Sequence, residues 1–96
     1  MYRKIYENGS NVLIAACDRE LLGIKIKQGK AVVEISKEFY EGEIVSEAEL
    51  IKNLENATTA NLFGARTVNC ALKCGLITAD SVLFIEDIPH AQIFKV

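Results

Sequence analysis

The dipeptide Asn8-Gly9 stands between two apolar, strand-forming runs, Tyr2 to Tyr6 and Val12 to Cys17. No other short pattern restricts a chain so strongly. Asn-Gly readily takes the left-handed backbone of a two-residue hairpin turn, whose twist matches that of the strands it joins. The chain is therefore expected to begin as an antiparallel pair. A second hairpin is predicted where Ile24 to Lys27 and Ala31 to Ile35 flank Gln28-Gly29-Lys30. There Ile24 and Ile26 alternate with Lys25 and Lys27, giving one dry face and one basic face. Between the hairpins, Asp18 can cap a brief helical turn that reaches Leu22 and ends at Gly23.

Phe39 to Glu43 reads as a linker, with Gly42 as its turn residue. Ser46-Glu47-Ala48-Glu49 then has the form of a capping box. Ser46 can accept from the amide of residue 49, and Glu49 can reach back. Val45 and Leu50 occupy the staple positions, and Leu50, Ile51 and Leu54 form one apolar stripe. A helix over 47–55 follows. The small polar stretch 56–61 reads as extended or looped. A second helix is predicted over 64–74, with Ala65, Val68, Ala71 and Leu72 inward and Arg66, Asn69, Cys70 and Lys73 outward. Gly75 and Leu76 suit a Schellman ending. Thr78-Ala79-Asp80 makes a turn, and strands over 82–85 and 91–96 flank 86–90, where Pro89 argues against a central strand.

Strands, then helices, then strands, joined mostly by short turns, define an α+β fold. The expectation is one small domain over 1–96, with a mainly antiparallel sheet from N-terminal and C-terminal hairpins packed with two short helices. Half the residues are hydrophobic and 25% are charged, which suits a packed core. The net charge of −2 gives no overall attraction to nucleic acid or anionic membrane. Its distribution is uneven. Residues 1–37 are rich in lysine and arginine, whereas Glu38, Glu41, Glu43, Glu47, Glu49 and Glu55 face Lys52 alone over 38–60. These segments can form separate faces or neutralise one another. No apolar run nears the ~20 residues of a membrane span, and Glu7-Asn8-Gly9 interrupts any signal-like start. The expected location is the cytoplasm.

Three constellations carry candidate chemistry. Asn61-Leu62-Phe63-Gly64-Ala65-Arg66 leads into a helix, whose free amides favour an anion. Gly64 permits close approach, and Arg66 can grip a phosphate in two-pronged fashion. The second is Ile88-Pro89-His90-Ala91-Gln92, with the sole proline and sole histidine of the chain. His90 and Gln92 point the same way in an extended segment, pairing a titratable ring with an amide. The third is Cys70 and Cys74, which with Cys17 and His90 make a conceivable zinc set. One Cys pair without a second is a weak zinc pattern, and free cysteine is commonly a small core residue. No cofactor is expected.

The stretch Ala60-Asn61-Leu62-Phe63-Gly64-Ala65-Arg66-Thr67-Val68, then Gly75-Leu76-Ile77, then Ile88-Pro89-His90-Ala91-Gln92, resembles the archaeal domain of unknown function 424 family. The likeness extends to Cys17-Asp18-Arg19-Glu20-Leu21-Leu22-Gly23 and covers nearly the whole chain. The Cys70/Cys74 pair lies outside the family pattern. The resemblance implies a cytoplasmic archaeal single-domain protein without established activity, with RNA or a translation or ribosomal component as its partner. The expected function is a non-enzymatic binding domain for RNA or another phosphate-bearing ligand, through Asn61, Gly64, Arg66, His90 and Gln92. DNA and membrane are not expected partners. The alternatives are a small enzyme using His90 as general acid or base, and an adaptor that presents the glutamates of 38–49 to a basic partner.

Overall fold

The computed structural model describes residues 1–95. Asn8-Gly9 makes its hairpin. Strands β1 (Tyr2–Asn8) and β2 (Asn11–Cys17) pair antiparallel, with Gly9 at φ +62°. The second hairpin, β3 (Lys25–Gln28) and β4 (Ala31–Glu34), forms its own two-stranded sheet. The expected linker holds two short elements instead. Ser46 has a counterpart in Ser36, whose hydroxyl accepts from the Phe39 N–H and caps α1 (Lys37–Tyr40). Glu43–Ile44 then pairs with β1 as β5. Gly42 is required by proximity, since a Cβ there would stand 2.2 Å from the Arg3 carbonyl oxygen.

Helix α2 (Glu47–Glu55) spans the predicted range, with Leu50 and Leu54 fully buried. Half of the capping box is present. The Ser46 hydroxyl accepts from the Glu49 N–H, but the Glu49 carboxylate turns to Arg3. Helix α3 (Ala65–Lys73) ends as expected, with the Leu76 N–H donating to the Ala71 carbonyl, the Gly75 N–H to that of Leu72, and Gly75 at φ +76°. Its inward face is rotated from the prediction. Thr67, Val68, Cys70 and Ala71 are buried, while Ala65 is exposed.

The stretch after α2 is a central strand, β6 (Thr59–Phe63). It runs parallel to β2 and antiparallel to β8 (Ile88–Phe94), and β7 (Leu83–Ile85) closes the far edge. The sheet order is β5-β1-β2-β6-β8-β7. Mostly antiparallel pairing and flanking helices make this an α+β fold. The last predicted strand starts earlier than expected, because Glu86-Asp87 is a two-residue turn with both residues at positive φ. Val96, its predicted end, lies outside the described residues.

Pro89 therefore sits inside a strand paired on both sides, against expectation. The neighbouring geometry removes the conflict. The Gly64 N–H donates to the Pro89 carbonyl at 2.9 Å, while the Gly64 carbonyl accepts from the Val68 N–H in α3. The N–H that proline lacks would face a carbonyl already committed to the helix.

Alternation along the strands gives the sheet two apolar faces. Ile14, Ala16, Ala60, Leu62, Ala91 and Ile93 pack on one side with Leu50 and Leu54 of α2 and Val68 and Ala71 of α3. Ala15, Cys17, Phe63 and Ile85 pack on the other, under Ile26 and Ile35 of the β3–β4 region and Tyr40 of α1.

Candidate binding site

The five residues predicted as one site divide between these two sides. Gly64 and Arg66 belong to the start of α3. The amides there are already satisfied, because the chain supplies the anion itself. One oxygen of Asp18 accepts from the Arg66 N–H at 3.2 Å. The other accepts from the Thr67 N–H at 2.9 Å and the Thr67 hydroxyl at 2.8 Å. Asp18 does not cap its own 3₁₀ turn, Arg19–Leu21; it caps a helix 48 residues away. Gly64 does permit a close approach, with Asp18 as the group that approaches. A Cβ on Gly64 would stand 2.4 Å from the Asp18 carboxyl carbon. Arg66 reaches outward to Glu20 at 3.2 Å, and both side chains are more than half exposed. A phosphate cradle at this helix start is thus corrected: a buried carboxylate fills it.

The remaining three residues come together on the opposite side. Asn61 and Gln92 are direct cross-strand partners, and the Gln92 side-chain amide donates to Asn61 Oδ1 at 2.9 Å. That bond leaves the Asn61 amide as a donor and Gln92 Oε1 as an acceptor. His90 lies opposite Phe63, its ring stacked at 4.0 Å between centroids. His90 Nδ1 is 2.9 Å from the Leu62 carbonyl oxygen. A carbonyl only accepts, so Nδ1 carries a proton, and Nε2 is the ring nitrogen left for a ligand. Two residues beyond Gln92 on the same face stands Phe94, 73% exposed. Sequence reasoning missed Phe94. Its signal was the continuing two-residue alternation from His90 through Gln92.

The charges sort by side as well. Exposed Lys25, Lys27 and Lys30 belong to the β3–β4 hairpin, which packs on the His90 side. Helix α2, with Glu47, Glu49 and Glu55, covers the other side. Part of the acidic run is used internally. Glu43 and Glu49 flank the buried Arg3 at 3.3 and 3.6 Å, and Glu47 pairs with Lys73 at 2.9 Å. Those three carboxylates are not free for a basic partner.

The cysteines do not converge. Cys17 packs on the His90 side, and Cys70 packs across the sheet with its sulfur 4.0 Å from that of Met1. Burial pushes the Cys17 thiol up to about 12, with Asp18 adding to the effect, and burial also raises Cys70. Among the described residues, no group of three or more His, Cys, Asp or Glu side chains is placed to hold a metal ion. No described helix is long and apolar enough to cross a membrane.

Fold and site together define a small α+β protein whose mixed sheet presents an open polar and aromatic strip on one side. The chain belongs to the DUF424 family, described as protein of unknown function, which it matches over residues 6–96. Among solved structures it is similar to an uncharacterized conserved protein from Methanopyrus kandleri. The TM-score is 0.85 at 24% identity, covering 99% of this chain and 92% of that one, and the likeness concerns the fold. No curated protein matches the sequence.

Proposed function

We propose that this protein is a non-enzymatic binding domain that takes single-stranded RNA, in a translation-related setting, on the sheet strip of Asn61, His90, Gln92 and Phe94. The observation that carries this reading is the exposed Phe94 ring beside the Asn61–Gln92 amide pair on one strand face. An unstacked base offers a π-face to an aromatic ring and a polar edge to amides. The strip supplies the matching parts: a ring at Phe94, a donor at Asn61, and acceptors at Gln92 Oε1 and His90 Nε2. The lysines of the β3–β4 hairpin lie on this side and can follow a phosphate backbone.

The test is fluorescence anisotropy with a pool of labelled single-stranded RNA oligonucleotides over a salt series. Base stacking contributes ~1–3 kcal/mol, so Phe94→Ala is expected to weaken binding roughly tenfold. Gln92→Ala should weaken it less. Arg66→Ala, on the other side of the sheet, should leave affinity unchanged. Equal affinity of wild type and Phe94→Ala would refute the assignment.

A further inference from the structure

A hollow of about 580 Å³ lies on the side of the sheet opposite His90, lined by Val68 and Leu72 of α3, Val82, and Phe84 and Pro89 of the final hairpin. Its outer wall is the edge of the sheet. Strand β7 is the last in the order and pairs with β8 alone among the described residues, while β3 packs against its Ile85 end through Ile26. A two-residue turn makes Ile85 and Ile88 the first hydrogen-bonded pair, so Leu83 and His90 are the next. Phe84, opposite the donor-less Pro89, must point its own N–H and C=O away from β8.

Edge strands are normally blunted by lysine, proline, a bulge or a cover. Leu83-Phe84-Ile85 carries no charge or proline, and Leu83 and Phe84 are 56% and 68% exposed. The other edge, β5, is two residues long and includes Glu43. An apolar edge exposed at Leu83 and Phe84, beside an apolar hollow, has the form used for strand addition. Main-chain bonds then hold the added strand, and alternate side chains fill the hollow.

Charge selects the occupant. Exposed Asp80 precedes β7, and exposed Glu86 and Asp87 follow it. A second copy pairing antiparallel would bring the Glu86-Asp87 turn of each chain toward Asp80 of the other, acid against acid. The rim of the hollow adds no free cation from α3, because Arg66 is paired with Glu20 and Lys73 with Glu47. At the turn, Lys27 approaches through its main-chain N–H, which donates to the Glu86 carboxylate. We propose that the β7 edge docks an extended segment of a partner protein, with apolar side chains at alternate positions and lysine or arginine at both ends. The central apolar side chain lies over the hollow between α3 and Phe84.

The experiment pans a random-peptide display library against the immobilised full chain and, in parallel, against Phe84→Pro. That substitution removes the outward N–H and the ring, yet leaves the β8 pairing intact because the lost N–H faces away from it. Circular dichroism confirms that the variant is folded. Expected are enriched peptides with alternating apolar residues and basic ends, which lose affinity by about tenfold or more on Phe84→Pro. They should also weaken on combined Asp80→Lys and Asp87→Lys substitution. No enrichment over Phe84→Pro, or equal binding to it, would overturn the proposal. So would a dimer in light scattering that Phe84→Pro dissolves, since the edge would then belong to a second copy.

Discussion

The bond set around Asp18 makes a quantitative prediction. Asp18 is 5% exposed and its carboxylate receives three hydrogen bonds, two of them from the fully buried Thr67. In Asp18→Ala, the Thr67 N–H and hydroxyl lose their acceptor where water does not reach. Each orphaned buried donor costs ~1–3 kcal/mol, and losing the negative charge at the start of α3 adds ~0.5–1. The Arg66 N–H is nearer the surface and recovers part of its loss from water. The sum is about 2.5–7 kcal/mol, a large share of the ~5–15 kcal/mol that holds a domain folded. Asp18→Asn keeps one acceptor oxygen and should cost about half as much. Gly64→Ala meets two separate penalties. At φ +106° and ψ 154° a side chain is strained, by ~1–3 kcal/mol. The new Cβ also overlaps the Asp18 carboxyl group at 2.4 Å. Truncating Asp18 removes the overlap and leaves the strain. The double mutant should therefore be more stable than the summed single effects by at least ~1 kcal/mol. Urea unfolding of the four chains, followed by far-UV circular dichroism, measures the cycle. Additivity within ~0.5 kcal/mol would refute the contact, and an Asp18→Ala cost below ~1 kcal/mol would refute its energetic role.

The thiols give a reactivity pattern. Cys17 and Cys70 are buried and protonated, whereas Cys74 is half-buried. Ellman's reagent should modify Cys74 in the native protein and the other two after unfolding; rapid modification of Cys17 would contradict its placement under the β3–β4 region. Alkaline stability follows from the same groups. The Cys17 thiol is raised to about 12 and Tyr40 is raised mainly by burial, so in alkali the unfolded chain releases protons that the folded chain retains. Their contribution is fully present below the ordinary thiol range and is lost as pH climbs from about 9 toward 12, at up to ~1.4 kcal/mol per pH unit for each group. Urea midpoints should fall across that window, and the fall should be shallower in Cys17→Ala; a flat profile would show that burial does not hold these groups neutral.

The elements legible in the sequence are those made by local chemistry. Asn8-Gly9 specifies its hairpin, Ser46 caps α2, and Gly75 with Leu76 ends α3. What escaped is decided by distant neighbours. The stretch 56–61 reads as extended or looped, because Thr58, Thr59 and then Phe63 favour a strand whereas Ala60 and Asn61 do not. Residues 59–63 become a strand because β2 and β8 both offer them a ladder. Asp18 looks like the cap of the turn that follows it, and nothing nearby in sequence points to Thr67, 49 residues on. The candidate site was legible as residues and not as an arrangement. Extended geometry was enough to aim His90 and Gln92 the same way. Placing Asn61 with them required the β6–β8 register, and placing Gly64 and Arg66 elsewhere required knowing what fills the start of α3.

That start decides where a ligand can bind. Helix amides draw an anion wherever they are left open, but a buried carboxylate with three bonds is not displaced by a dilute phosphate. Displacement would desolvate the phosphate and strand a charged Asp18 without its donors. Binding at the start of α3 is therefore disfavoured, and β8 offers instead a candidate surface on each side, the amide strip on one and the apolar hollow on the other. Its residues alternate, so the neighbours Pro89 and His90 face opposite ways. Pro89 lines the hollow beside α3, while His90 stacks on Phe63 at the edge of the amide strip. The proline that seemed to exclude a central strand allows Gly64 to leave the ladder and open α3. The histidine beside it is thereby held flat against Phe63, with Nε2 unspent. One stiff dipeptide thus contributes to two surfaces, and a substitution at position 89 should be felt on both.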